Sequence, residues 1–185
     1  MDQKKEIKLS KFISLLLRHK PETIGLYLDE NGWANVGELI LKSTKKGSIF
    51  SFDDLKFIVK NCKKQRFTFN EDQTKIRANQ GHSIEANLEL ENTNPPDKLY
   101  HGTAEKNLES IFKTGINKQN RNHVHLSGDI ETATIVGARH GKVIVLEINS
   151  AQMFQDGCQF YISKNKVWLC QFIDIKYISI YKGKG

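Results

Sequence analysis

Apolar positions 9, 12, 13, 15, 16 and 17 recur at helical spacing, which predicts an amphipathic helix over residues 9–19 that ends near Lys20-Pro21. Residues 24–28 read as a short strand, Asp29-Glu30-Asn31-Gly32 as a turn and Trp33-Ala34 as a return strand. Asn35 with Glu38 three residues on predicts a capped helix to about residue 42, and Ser51 with Asp53 and Asp54 predicts a second to about residue 60, turning Leu55, Ile58 and Val59 inward. Alternation over 66–69, a polar turn at 70–73 and a return over 74–78 predict a β-hairpin. Helices followed by a hairpin suggest a winged helix. Residues 84–97 then turn acidic and polar around Pro95-Pro96, as a linker does, so two lobes are expected, 1–90 and 91–185.

In the second half a strand over 99–103 stops at His-Gly-Thr, ahead of a helix over 104–113 with Leu108, Ile111 and Phe112 on one face and Gly115 as its C-cap. Alternation over 123–127 puts His123 and His125 on one strand face and Val124 and Leu126 on the other. A helix over 130–137, a loop at 139–142, a buried strand over 143–148 and strand-like stretches at 159–162, 166–170 and 173–180 complete the pattern. The class is α+β.

With 185 residues, 38% of them apolar, the chain can bury one large core or two small ones. No apolar run reaches the roughly 18 residues of a membrane span, and no signal core follows the Lys-rich start, so a cytoplasmic protein without membrane contact is expected. Cys62, Cys158 and Cys170 are odd in number and show no metal-ligand spacing, which indicates neither disulfides nor a metal site. The net charge of +7 is uneven: residues 1–85 carry 16 Lys and Arg against 11 Asp and Glu. That excess suits a polyanion and equally suits a solvated surface. Arginine is more selective. Only five of the 28 basic residues are Arg, and Arg18, Arg121 and Arg139 each lie within two residues of a His. A chain that otherwise uses Lys thus keeps Arg where a planar, bidentate phosphate binder is useful.

The chemistry concentrates at few places. Leu99-Tyr100-His101-Gly102-Thr103 sets an imidazole, a bare backbone and a hydroxyl at one strand end, where Gly102 would admit a flat ligand and His101 and Thr103 would bind hydroxyls or an amide. A strand end with Thr103 as an ordinary helix N-cap fits the same letters. Arg18 and His19 at a helix end either complement its dipole or form a phosphate-handling pair of cation and proton donor. The cluster Lys63-Lys64-Gln65-Arg66 enters the hairpin where a wing would meet a nucleic-acid backbone.

Taken together, Leu17-Arg18-His19-Lys20-Pro21, Lys64-Gln65-Arg66-Phe67, Gln80-Gly81-His82-Ser83, Leu99-Tyr100-His101-Gly102-Thr103, His123-Val124-His125-Leu126-Ser127 and Gly137-Ala138-Arg139-His140-Gly141 resemble, in order and spacing, the Tpt1/KptA family of NAD-dependent RNA 2'-phosphotransferases. The resemblance implies a winged-helix RNA lobe joined to an ADP-ribosyltransferase-like lobe with a mixed β-sheet. It implies removal of an internal 2'-phosphate from RNA, such as a spliced tRNA, by transfer to NAD, with a 2'-phospho-ADP-ribosylated RNA intermediate and ADP-ribose 1'',2''-cyclic phosphate as product. The family's catalytic tetrad falls on Arg18, His19, Arg66 and Arg121. His101, Gly102, Thr103, His125, Ser127 and Arg139 match the NAD-binding positions, and Lys20, Lys63 and Lys64 would contact RNA. The implied partners are NAD and 2'-phosphorylated RNA, with no metal, for a chain expected to act as a monomer. Protein-modifying relatives place a catalytic Glu where this chain offers Val167, and Glu147 reads as an outward strand residue. An ADP-ribosyltransferase that stops at the adduct, or a winged-helix binder without catalysis, are the competing readings.

Overall fold

In the computed structural model, which describes residues 2–62 and 64–183, helix α1 (Gln3–Arg18) starts at Asp2, whose carboxylate accepts the Lys5 N–H at 2.8 Å, and His19 caps its end before Pro21. Leu9, Ile13, Leu16 and Leu17 are buried at the helical period, while Leu15 points outward. The strand expected at 24–28 is absent. Pro21–Ile24 forms a 3-10 turn, Gly25 takes a left-handed φ of 64°, and the Leu26 N–H returns to the Pro21 carbonyl at 2.9 Å. That local closure uses backbone groups an extended strand would need for a partner.

The first unit, Met1–Glu89, continues with β1 (Ala34–Asn35), α2 (Val36–Lys45), α3 (Phe52–Asn61) and the hairpin β2 (Phe67–Phe69) and β3 (Lys75–Ala78). Both caps form as the letters predict: Asn35 accepts from the Glu38 N–H, and Ser51 and Asp54 complete a reciprocal capping box. The three strands make an antiparallel sheet in the order β1-β3-β2, with Ala34 opposite Ile76 and Phe67 opposite Ala78. Ile13, Leu16, Leu17, Leu39, Leu55, Ile58 and Ile76 fill the core between helices and sheet. Each such side chain contributes about 1.5–3 kcal/mol by leaving water.

The second unit, Leu90–Gly185, is built on β4 (Lys98–Ala104), which runs past the expected strand end. After it come α4 (Leu108–Thr114), preceded by a 3-10 turn, then β5 (Ile116–Asn117), β6 (Val124–Leu126) and α5 (Ile130–Gly137). A 3-10 turn, Ala138–His140, leads to β7 (Val143–Asn149), α6 (Ser150–Gln155), β8 (Tyr161–Ile162), β9 (Trp168–Cys170), β10 (Phe172–Ile173) and β11 (Ile178–Ile180). The expected strand over 173–180 is broken because the Asp174 side chain caps a 3-10 turn, Ile175–Tyr177.

Pairing gives sheets β11-β7-β4, β6-β9-β8 and β10-β5, and every ladder among the described residues is antiparallel, where a mixed sheet was expected. For β8 and β9 the reason is plain, since the turn between them is far shorter than the crossover a parallel pair requires. The β4–β7 ladder is continuous from Lys98 opposite Asn149 to Ala104 opposite Val143. A bridge between Tyr100 and Ser127 then ties the end of β6 to β4. Leu99, Leu126, Leu146, Ile148, Met153, Phe160 and Ile173 form the core of this unit.

Candidate active site

The candidate residues form two clusters, one in each unit. In the first, Arg18 ends α1 and its Nη2 donates to the Arg66 carbonyl at 3.4 Å, although 48 positions separate the two residues. The Arg66 carbonyl also accepts the Asn79 N–H at 2.9 Å, and the Asn79 side chain donates to the Gln65 carbonyl. Gln65 sits at φ 40°, so this buried asparagine holds a left-handed turn at the entry to β2. The Arg66 Nη1 donates to Cys62 Sγ at 3.1 Å. Its guanidinium is thereby gripped at one end and half-buried.

Ser83 completes this cluster. Its N–H donates to the Arg18 carbonyl at 2.9 Å, and its Oγ lies 2.9 Å from His19 Nδ1. The sequence motif Gln80-Gly81-His82-Ser83 suggested no role for either Asn79 or Ser83, because both act across long sequence separations. Their only local signal is a polar turn directly after a strand. Lys20 and Lys64 are exposed near these residues in the chain, and Lys63 lies outside the described residues.

The second cluster follows from the Tyr100–Ser127 bridge, which sets β6 beside β4. His101 Nδ1 lies 3.1 Å from the His125 carbonyl. A carbonyl oxygen only accepts, so Nδ1 carries the proton. Burial above all, with the Arg121 charge, holds the His101 pKa below its ordinary value and favours the neutral ring. A neutral imidazole protonated at Nδ1 presents Nε2 as an acceptor, the form suited to a ligand hydroxyl. Arg121 Nη1 stands 3.4 Å from His125 Nδ1, so the exposed guanidinium, which can only donate, is connected through His125 to His101.

Two expected ligand-contact residues also serve the packing of the fold. An ideal Cβ on Gly102 would lie 1.7 Å from the Ala133 carbonyl oxygen of α5, and one on Gly137 would lie 2.8 Å from the Gly102 carbonyl carbon. The missing side chain of Gly102 thus admits a helix, whereas the sequence suggested a flat ligand. Thr103 is buried inside β4, accepts from Asn107 Nδ2 at 3.2 Å and caps no helix. Arg139 is exposed on the 3-10 turn after α5, with no ion pair to the other candidates among the described residues. Glu147 pairs with Lys98 at 2.8 Å, as an ordinary strand residue would.

Among the described residues no group of three or more His, Cys, Asp or Glu is arranged to hold a metal ion, and no helix is long and apolar enough to cross a membrane. What the two clusters offer is fixed guanidinium charge, an imidazole at a helix end and a neutral imidazole acceptor. Such groups bind and neutralise phosphate oxygens and orient sugar hydroxyls.

A sequence profile described as RNA 2'-phosphotransferase, Tpt1 / KptA family, matches residues 4–172. The chain is 59% identical over 174 residues to a probable RNA 2'-phosphotransferase of Fusobacterium nucleatum, covering 94% of this chain and 97% of that protein. It is 55% identical over 170 residues to one of Flavobacterium johnsoniae, covering 92% and 93%, and 47% identical over 178 residues to one of Trichormus variabilis, covering 96% and 98%.

Proposed function

This chain belongs to the RNA 2'-phosphotransferase, Tpt1/KptA family, and on that premise we propose that it removes an internal 2'-phosphate from RNA by transferring it to NAD. The first unit acts as a winged-helix RNA lobe, a reading supported by the element order α1-β1-α2-α3-β2-β3 with β1, β3 and β2 in one antiparallel sheet. The second acts as an ADP-ribosyltransferase-like lobe that takes NAD. In the first step an oxygen of the RNA 2'-phosphate bonds to C1'' of the nicotinamide ribose, the C1''–N bond breaks, and its electron pair leaves with nicotinamide. In the second the ribose 2''-hydroxyl oxygen bonds to phosphorus and loses its proton, the bond from phosphorus to the RNA O2' breaks, and O2' is protonated. The products are 2'-hydroxyl RNA and ADP-ribose 1'',2''-cyclic phosphate.

Arg18, Arg66 and Arg121 neutralise the phosphate, whose charge must be stabilised in both steps. His19, oriented through Nδ1 by Ser83, exchanges the proton of the second step. His101 Nε2 accepts from a ribose hydroxyl of NAD, with His125, Ser127 and Arg139 around the nucleotide and Lys20 and Lys64 on the flanking RNA. The observation that carries this reading is the hub in which Ser83 holds Arg18 and His19 while the Arg18 guanidinium reaches the Arg66 carbonyl.

Single-turnover reactions with 2'-phosphorylated RNA and NAD test it. Nicotinamide is a good leaving group and the phosphate is already a nucleophile, so step one needs little proton transfer. Step two must protonate O2'. His19→Ala is therefore expected to slow step two by about 10² to 10⁴ and, like Arg121→Ala, to accumulate the 2'-phospho-ADP-ribosylated RNA. His101→Ala slows step one without that build-up. Equal slowing of both steps in His19→Ala sinks the assignment of His19, a stable adduct from the wild type indicates a plain ADP-ribosyltransferase, and no NAD consumption indicates a binder.

A further inference from the structure

Along α1 the positions Lys4, Lys8, Lys11, Leu15 and Arg18 are spaced by four, three, four and three residues, which lines them up on one stripe of the helix. Lys4, Lys8, Lys11 and Leu15 are exposed. None of the three lysines has a carboxylate partner among the described residues. By contrast, Lys5 on the same helix pairs with Asp54, and Lys42, Lys56 and Lys75 pair with Glu38, Asp53 and Asp29. Glu6 stands two residues from Lys4 and from Lys8, on the far side of the helix from the stripe. Lys4, Lys8 and Lys11 therefore form a row of positive charge without carboxylate partners among the described residues, on a stripe about 21 Å long at 1.5 Å per residue that ends at Arg18.

We propose that this stripe is a track for the RNA strand flanking the 2'-phosphate, with Lys4, Lys8 and Lys11 neutralising successive backbone phosphates and Leu15 lying under a sugar or base. The inference rests on the phosphate role assigned above to Arg18, and it adds residues to the RNA contacts expected at Lys20, Lys63 and Lys64. A polyanion strand fits better than an anionic membrane surface. Of the apolar residues of α1, Leu9, Ile13, Leu16 and Leu17 are buried in the core, and the exposed Ile7 and Leu15 lie at different positions around the helix and form no continuous apolar face for lipid. A row of cations that follows a backbone without reading bases is the ordinary means of holding single-stranded nucleic acid.

The test is the triple variant Lys4→Gln/Lys8→Gln/Lys11→Gln, which keeps helix propensity and touches only exposed positions. A second triple, Lys45→Gln/Lys46→Gln/Lys60→Gln, removes the same charge from other exposed sites. Binding of long single-stranded RNA is measured by anisotropy across salt concentrations, and turnover is compared between a 2'-phosphorylated dinucleotide and the same phosphate within long RNA. Losing three phosphate contacts should make the plot of log affinity against log salt shallower by about 2, which is about a hundredfold weaker binding at 0.1 M salt. The ratio of long to short substrate turnover at low RNA concentration should fall by a similar factor, with the second triple close to wild type.

An unchanged slope overturns the track, as does an equal loss in both triples. Loss of binding to anionic phospholipid vesicles with RNA binding intact assigns the stripe to a membrane and also overturns it. Failure of the underlying reading looks different: the wild type then turns over neither substrate, while the anisotropy series still decides whether the stripe holds RNA.

Discussion

Replacing Gly102 by alanine separates two roles for one residue. A Cβ there would lie 1.7 Å from the Ala133 oxygen, 2.6 Å from its carbonyl carbon and 2.9 Å from the Gly137 nitrogen. Optimal carbon contacts are about 3.5–4.0 Å, so α5 would have to retreat from β4 by about 2 Å. All three obstructing atoms are backbone, and no rotamer change relieves them. Overpacking costs about 1–3 kcal/mol when side chains can yield, and this site belongs at or above the top of that range. At about 4–8 °C per kcal/mol for a domain near this size, the second unit should melt roughly 12–24 °C lower. Scanning calorimetry and urea titration measure this directly. Trp33 and Trp168 lie in different units, so fluorescence in a Trp33→Phe background reports the second unit alone. Gly183→Ala, where nothing lies within 4 Å, is the control and should stay within about 0.5 kcal/mol of wild type. If Gly102→Ala melts like wild type and loses only NAD affinity, the packing argument is refuted and the glycine serves a ligand.

Other outcomes follow from the same geometry. His101 is held neutral below its ordinary value of 6.5, so the unfolded chain binds more protons there than the folded one; the second unit should lose stability as pH falls below 6.5, and His101→Asn should flatten that part of a melting-temperature profile between pH 7.5 and 5.5. Ser83→Ala removes the hydroxyl oriented on His19 Nδ1 and should lower the second-step rate by about tenfold with melting changed by no more than about 1 kcal/mol; an unaltered rate in single turnover contradicts the positioning role. Burial pushes the Cys170 thiol up to about 12, so iodoacetamide at pH 8 should label it only after unfolding, as peptide mass mapping would show.

Much of the local structure was legible in the letters. The period of Leu9, Ile13, Leu16 and Leu17 and the stop at Pro21 define α1 with Arg18 and His19 at its end, because a helix and its caps depend on residues within one or two turns. The caps at Asn35 and Ser51, the hairpin and the alternation that buries Val124 and Leu126 are local in the same sense. Motif order also carried the family, which the profile match and the relatives then established. What the letters could not supply is partnership over distance. Residues 24–28 have strand-like composition, yet β1 takes β3 as its neighbour, and a strand without a partner gives way to a turn. Gly102 carries no mark saying whether a ligand or a helix fills the space beside it, and only the course of α5 decides. The same holds for Asn79 and Ser83, which hold Arg66, Arg18 and His19 by hydrogen bonds whose partners are set by how β2, β3 and α1 pack. Periodicity records which face of an element is buried, whereas the identity of what covers that face is a property of the folded chain alone.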